Sequence, residues 1–326
     1  MEFEDLHEWS EYGFRINLLT LENFRGFDKI SVNFEQQITV LLGVNGSGKT
    51  ALLDAVAKML EIYTWQVTHV RDSSGQELER LFLQSDLQNG KKEFSCELVA
   101  ELSFRHEKPK QVEEEDFDPN KNPEMDVVEE VSSSLNWLVV REKTGYKIRN
   151  FDNIERLTQF AETVDFRLRQ DLPVNLPVIV YFPVQTTLSD WSVNNAPKRT
   201  FDFEIFQTYY DALNGRSFDF RTFFEWFKWQ ENIEKQLGTN DNLETVRQAI
   251  YQVLNDSYQE EIIFDRLHVD WRNSTSGELI IYKSAKRLLV NQFSSGEKAV
   301  VSLVSGIALR LILANPKREK PWKAVV

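Results

Sequence analysis

Gly43, Val44, Asn45, Gly46, Ser47, Gly48, Lys49 and Thr50 follow one another without a break. They match the pattern G-x-x-x-x-G-K-[ST] in full. The glycines let the backbone curl so that several N–H groups point at one anion, and the lysine adds a full positive charge. The Thr50 hydroxyl is suited to a magnesium ion. A helix starting near Lys49 places its positive end at the same spot. This chemistry is the binding of a nucleotide's phosphates. Gly43, Asn45, Gly46, Ser47, Gly48, Lys49, Thr50 and Ala51 are the residues expected to touch it. A second segment, Phe293-Ser294-Ser295-Gly296-Glu297-Lys298, opens an apolar stretch over residues 299–315. Ser294 and Gly296 at a helix N-terminus offer an anion a hydroxyl, a backbone N–H and a dipole. Taken alone, that segment is an ordinary helix cap.

The elements that must hold these residues are readable from periodicity. Residues 16–21 and 30–34 read as short strands around the turn Asn23-Phe24-Arg25-Gly26-Phe27. Residues 38–42 are continuously apolar, as in a strand buried on both faces, and lead directly into the loop. Leu52, Leu53, Val56, Met59 and Leu60 have helical spacing, so a helix follows. Residues 94–104 and 135–148 read as strands, and 152–168 as a helix. Residues 177–182 are a second buried-strand candidate, with Pro177 at the first position, where proline is allowed. Helical periodicity spans 201–257, broken at Asn214-Gly215 and at Gly238. Residues 262–271 and 278–283 read as a hairpin. The aromatic block of Phe218, Phe220, Phe223, Phe224, Trp226, Phe227 and Trp229 is expected to be core or subunit contact rather than a base-stacking face, since acids match the bases near it.

Composition limits the partners. The chain has 326 residues, 51 acids, 38 bases and a net charge of −13. That balance argues against a dedicated nucleic-acid coat. The charge is uneven, however: residues 107–130 hold ten acids and three bases, and read as a solvated loop. Without that loop the excess of acid is small, so a local basic face for DNA is not excluded. One cysteine, Cys96, rules out an internal disulfide and a multi-cysteine zinc site. It fits a cytoplasmic setting, as does a start lacking the features of a signal peptide. The apolar run 299–314 is too short to span a membrane and contains Arg310.

With a phosphate loop upstream, the Ser-Ser-Gly-Glu segment resembles the signature motif of ABC-type ATPases in its soluble form, with Ser295 where transporters usually carry glycine. The chain as a whole resembles the virulence-associated predicted ATP-binding proteins. These are a soluble branch related to RecF and to overcoming-lysogenization-defect ATPases, and the ATPase subunit of the Septu anti-phage system is similar. The matching residues are Asn23 to Phe27, the loop, residues 177–182, Gly215-Arg216, Phe223 to Phe227, the signature and Asn315-Pro316.

The resemblance implies an α/β fold: a P-loop NTPase of the ABC head type with an antiparallel β subdomain and an inserted helical lobe. Lobe I would occupy 14–182, the helical lobe 183–258, and the rest of lobe II 259–326. It implies ATP and Mg²⁺ as cofactors, held by the loop and Thr50, with Gln185 as a second magnesium ligand and Arg25 near the phosphates. It also implies a homodimer or larger homo-oligomer in which Ser294, Gly296 and Glu297 of one copy close over ATP on another. Known members act with a nuclease, so anti-phage defence with a nuclease effector is the leading expectation. A DNA repair or recombination ATPase and a non-hydrolysing assembly module are the alternatives. The family's catalytic Asp-Glu should follow the signature helix on a strand. Residues 323–326 read as the start of that strand, so the chain is expected to be cut before it, with its own turnover in doubt.

Overall fold

The computed structural model describes residues 11–69, 81–109, 125–142, 145–149, 151–170, 172, 174, 176–182, 205–213, 220–258 and 262–315. Two compact units divide them, one within Met1–Pro177 and one within Val178–Lys323. Each mixes helices with antiparallel sheet, and the chain is α/β.

The first unit is built on a five-stranded antiparallel sheet of order β2-β1-β3-β4-β5. Its strands are β1 (Glu11–Phe24), β2 (Phe27–Asn33), β3 (Glu93–Pro109), β4 (Met125–Glu142) and β5 (Gly145–Arg149). Alternate residues of β3 (Phe94, Cys96, Leu98, Ala100 and Leu102) are all buried, which is the period-two pattern of a sheet with one covered face. The covering helices are α1 (Lys49–Thr68) and α2 (Phe151–Arg169), which pack on β3 and β4 respectively and on each other. Met59, Ile62, Tyr63 and Val67 of α1 are buried. The Trp137 indole N–H of β4 donates to the Met59 carbonyl at 3.0 Å, so this buried polar group is satisfied by the helix it packs on. Burial pushes the Cys96 thiol up, leaving it a small apolar side chain at neutral pH.

The second unit contains α3 (Phe220–Leu237), α4 (Asp241–Asp256), α5 (Ser295–Ala314) and a three-stranded antiparallel sheet, β6 (Phe264–Asp270), β7 (Glu278–Lys283) and β8 (Lys286–Leu289). Of the aromatic block, Phe220, Phe223, Phe224, Trp226 and Phe227 are core, buried against side chains of α4, β6 and α5, while Phe218 lies outside the described residues. Trp229, on the outer side, is half exposed. Arg247 of α4 joins the three elements, reaching Glu234 and Glu231 of α3 and the Leu267 carbonyl of β6. Arg310 of α5 lies buried, with its guanidinium on the carbonyls of Thr208, Gly306 and Tyr210. Burial lowers its pKa to about 10.

Several expectations need correction. Residues 38–42 form no strand, and Ile38, Val40 and Leu42 are 74%, 69% and 88% exposed. A buried strand needs ladder partners on its edges, and the described residues supply none here. Residues 177–182 are not a strand either, although Val178 is buried and the Tyr181 N–H donates to the Ala212 carbonyl at 2.8 Å. The acidic stretch is not loop throughout. Its two ends extend β3 and β4, pairing Pro109 with Met125 and His106 with Glu129, and only 110–124 lies outside the described residues. Strand propagation explains this, because each added pair extends a ladder that is already closed. The hairpin was expected to have two strands, and β8 adds a third. Among the described residues no helix is long and apolar enough to cross a membrane.

Phe227 is fully buried, with its ring 5.7 Å from that of Phe223. Phe227→Ala is expected to cost about 3–5 kcal/mol, read as a lowered midpoint in denaturant unfolding.

Candidate functional site

The phosphate loop connects the exposed segment 36–42 to α1. Its bend rests on two glycines in the left-handed region, Gly46 at φ 83° and Gly48 at φ 93°. Gly48 has a second reason to be glycine, because a Cβ there would lie 2.3 Å from Cζ of Phe27. The ring of Phe27 is thus the floor under the helix start. Gly43 is crowded in the same way by the Ser47 hydroxyl, 2.6 Å from where its Cβ would be. Gly48 caps α1 without a side-chain cap, and the first turn carries no acid, so its N–H groups and dipole remain available to an anion. The Lys49 ammonium sits over the loop, donating to the carbonyls of Gly43 (2.6 Å) and Val44 (2.8 Å) and to the Ser47 hydroxyl (3.4 Å). Asn45, Gly46, Ser47 and Thr50 are exposed. The loop therefore gathers positive charge, open N–H groups and a free approach, a donor set that fits a polyphosphate. Thr50 lies in the first turn of α1. Gln185 lies outside the described residues.

Arg25 occupies the hairpin turn between β1 and β2, two residues before Phe27, at φ 49°. Its conformation is held from one side. Its N–H donates to the Asp86 carbonyl at 2.7 Å, its Nε to Asp86 Oδ1 at 2.9 Å, and its terminal nitrogen to Asp54 Oδ2 at 2.6 Å. Asp54 and Lys58 are both on α1, and Lys58 bonds the other Asp86 oxygen. The Leu83 N–H adds a further bond to that carboxylate at 2.9 Å. Burial works against charge on both partners. Even so, Lys58, the Leu83 N–H and Arg25 hold Asp86 below the ordinary carboxylate range, and Asp54 and Asp86 hold Arg25 above its usual value. Asp86 thus ties the β1–β2 turn to α1, a positioning role absent from the sequence analysis. No local pattern marks it, because its partners lie 61 and 28 residues away.

In the second unit the signature segment caps α5. Ser294 is the N-cap, and it forms a reciprocal capping box with Glu297. The Ser294 N–H donates to Glu297 Oε2 at 2.8 Å, as does the Ser294 hydroxyl, while the Glu297 N–H reaches back to that hydroxyl at 3.3 Å. The other carboxylate oxygen accepts from the Tyr258 hydroxyl and from Lys283 Nζ, both at 2.8 Å. Burial alone would raise the pKa of Glu297, but Lys283, Ser294 and Tyr258 pull it down to about 2. Glu297 is therefore occupied within the chain and acts as the support of the turn. Gly296 differs: nothing lies within 4 Å of where its Cβ would be. Asp265 and Asp270 are both residues of β6. Asp270 is paired with Arg272 and Arg287, which hold its pKa well below the ordinary range.

A loop of left-handed glycines on a helix start, with a lysine folded over it, defines a phosphate-loop protein. The second unit adds a capped serine turn, and the chain is α/β. The family model described as AAA domain matches residues 18–298, and the chain belongs to that family. Among curated proteins, the chain is similar to the Retron Vc95 probable ATPase of Vibrio cholerae serotype O1 biovar El Tor. They are 22% identical over 348 residues, covering 94% of this chain and 62% of the relative. The Retron Ec83 probable ATPase of Escherichia coli is also 22% identical, covering 94% of this chain and 60% of its own length. The chain thus spans about three fifths of the curated relatives it matches. Among solved structures, an Smc head bound to the C-winged helix domain of ScpA overlaps 93% of this chain and 78% of its own. The sequence identity is 16% and the TM-score 0.41.

The Glu297 pKa gives a pH test. A carboxylate whose folded pKa lies below its usual 4.5 contributes stability that is whole above that value and is lost as pH falls toward about 2. Glu297→Gln should therefore be less stable than the parent near neutral pH, and the gap should close as pH drops below about 4. Thermal melts across that range provide the check.

Proposed function

We propose that this chain is the ATP-binding head of an ATPase that dimerises on nucleotide and acts in bacterial anti-phage defence, with a nuclease as effector. The observation that carries the nucleotide reading is the loop: Lys49 folded over the Gly43 and Val44 carbonyls beside an uncapped helix start. Gly43 to Ala51 bind the phosphates through backbone N–H groups and the Lys49 charge, and the Thr50 hydroxyl is offered to Mg²⁺. The metal, when bound, supplies charge neutralisation between phosphate oxygens. Arg25, tied to Asp54 and Asp86, sets the floor of the loop through the turn that carries Phe27.

Dimerisation is supported by the second motif. Ser294 and Gly296 sit at the start of α5, and Gly296 has open space around it. A phosphate held on another copy can approach there without steric cost, and the α5 N-terminus favours it. Nucleotide then bridges two copies, and loss of its terminal phosphate separates them. Hydrolysis, the nuclease partner and any contact with DNA are proposed for the whole protein. The ATPase reading is supported by the names of the two retron relatives, each called a probable ATPase.

Two substitutions test the two halves. Lys49→Ala should abolish ATP binding in a fluorescent-nucleotide titration, and unchanged affinity would remove the loop from the site. Ser294→Arg should leave monomer binding intact and block ATP-driven dimers in light scattering; dimers that persist would sink the bridging model.

A further inference from the structure

The support beneath the signature turn is built by residues that no motif contains. Tyr258 follows α4, and Lys283 ends β7. Their polar ends meet on one oxygen of Glu297, each at 2.8 Å, while the other oxygen takes both the N–H and the hydroxyl of Ser294. The Lys283 ammonium also lies over two rings, 4.7 Å from the Tyr258 centroid and 5.1 Å from that of Phe264. Phe264 in turn meets Phe293, the residue before Ser294, edge-on at 6.0 Å. The turn is therefore fixed twice: by apolar packing at Phe293, and by a charged clasp at Glu297.

The clasp has an electrostatic consequence. A carboxylate next to Ser294 would repel an approaching phosphate, and its charge lies within the first turn of α5, where an anion should dock. Lys283 cancels that charge from the side facing away from Ser294. The one hydrogen of the Ser294 hydroxyl and the Ser294 N–H are both committed to Glu297, so what the turn leaves for an anion is the N–H groups of the first turn of α5 and the open space at Gly296. We propose that Lys283 and Tyr258 are positioning residues of the signature turn. By clasping Glu297 they fix the turn that presents the α5 N–H groups and neutralise the acid beside the site that receives a second copy's nucleotide. This inference rests on the bridging model of the preceding section, and its structural half can be read without it.

The test uses Lys283→Met, Lys283→Arg, Tyr258→Phe and the pair Lys283→Met with Glu297→Gln. Three readouts are taken: nucleotide affinity of the monomer, ATP-driven dimerisation, and amide exchange over residues 293–298. Lys283→Met should leave monomer affinity unchanged and weaken dimerisation about tenfold, the scale of one net hydrogen bond lost behind the turn. Exchange at Ser294 and Glu297 should rise, with the later turns of α5 unaffected. Tyr258→Phe should give a smaller change in the same direction, and Lys283→Arg should restore most of the loss.

Adding Glu297→Gln to Lys283→Met should recover part of the dimerisation, because the uncompensated charge is removed; the two changes are then non-additive. Dimerisation of Lys283→Met equal to the parent would overturn the inference, as would unchanged exchange over 293–298. Exchange that rises along all of α5, with no rescue by arginine, would assign Lys283 to folding alone and also overturn it. A parent protein that stays monomeric with ATP, while Lys283→Met still loosens 293–298, would reject the bridging model and leave the clasp standing.

Discussion

One buried carboxylate holds the nucleotide loop's surroundings in place. Asp86 binds Arg25 of the β1–β2 turn with one oxygen and Lys58 of α1 with the other. The turn that leads into Phe27 and the helix that begins at Lys49 are thereby tied to a common point. Phe27 lies under Gly48, so the shape of the loop follows from this tie rather than from the loop's own residues alone. Two cations share the acid, and it also accepts a backbone N–H, which is the arrangement a buried carboxylate needs to remain ionised.

The second unit solves a parallel problem by similar means. Glu297 is buried and holds a helix start, again with a lysine on one oxygen and local donors on the other. In each case the turn itself is made of small or short residues (Gly48 and Thr50, Ser294 and Gly296), and charged residues behind it set its position. The aromatic core of the second unit gives β6 and β7 the rigidity to carry Lys283, since Phe264 and Ile281 are buried in it. Precise placement of a helix start depends on such backing, because a flexible turn would spend binding energy on its own ordering.

What the sequence made legible was local. The loop and the signature are contiguous, and their chemistry follows from residue types in order. The helices around them have clear spacing: α1, α2 and α4 lie close to where periodicity placed them. The misreadings involve partners distant in the chain. Residues 38–42 are apolar enough for a buried strand, but burial depends on what lies beside them, and sequence alone does not say. Asp86 and Lys283 look like ordinary surface charges in sequence, and only folding brings them to Arg25 and Glu297. β8, with the sequence Lys-Arg-Leu-Leu, is too short to show a period, and its register comes from β7.

The glycines of the two motifs are glycine for different reasons. At Gly48 a side chain would penetrate the Phe27 ring, and the backbone sits in a conformation L-residues avoid. At Gly296 the surrounding space is open. A screen scoring cellular abundance would therefore register position 48 and pass over position 296, while a screen scoring assembly would register both. The difference between two such maps isolates residues answering to a second molecule from those answering to the chain's own fold.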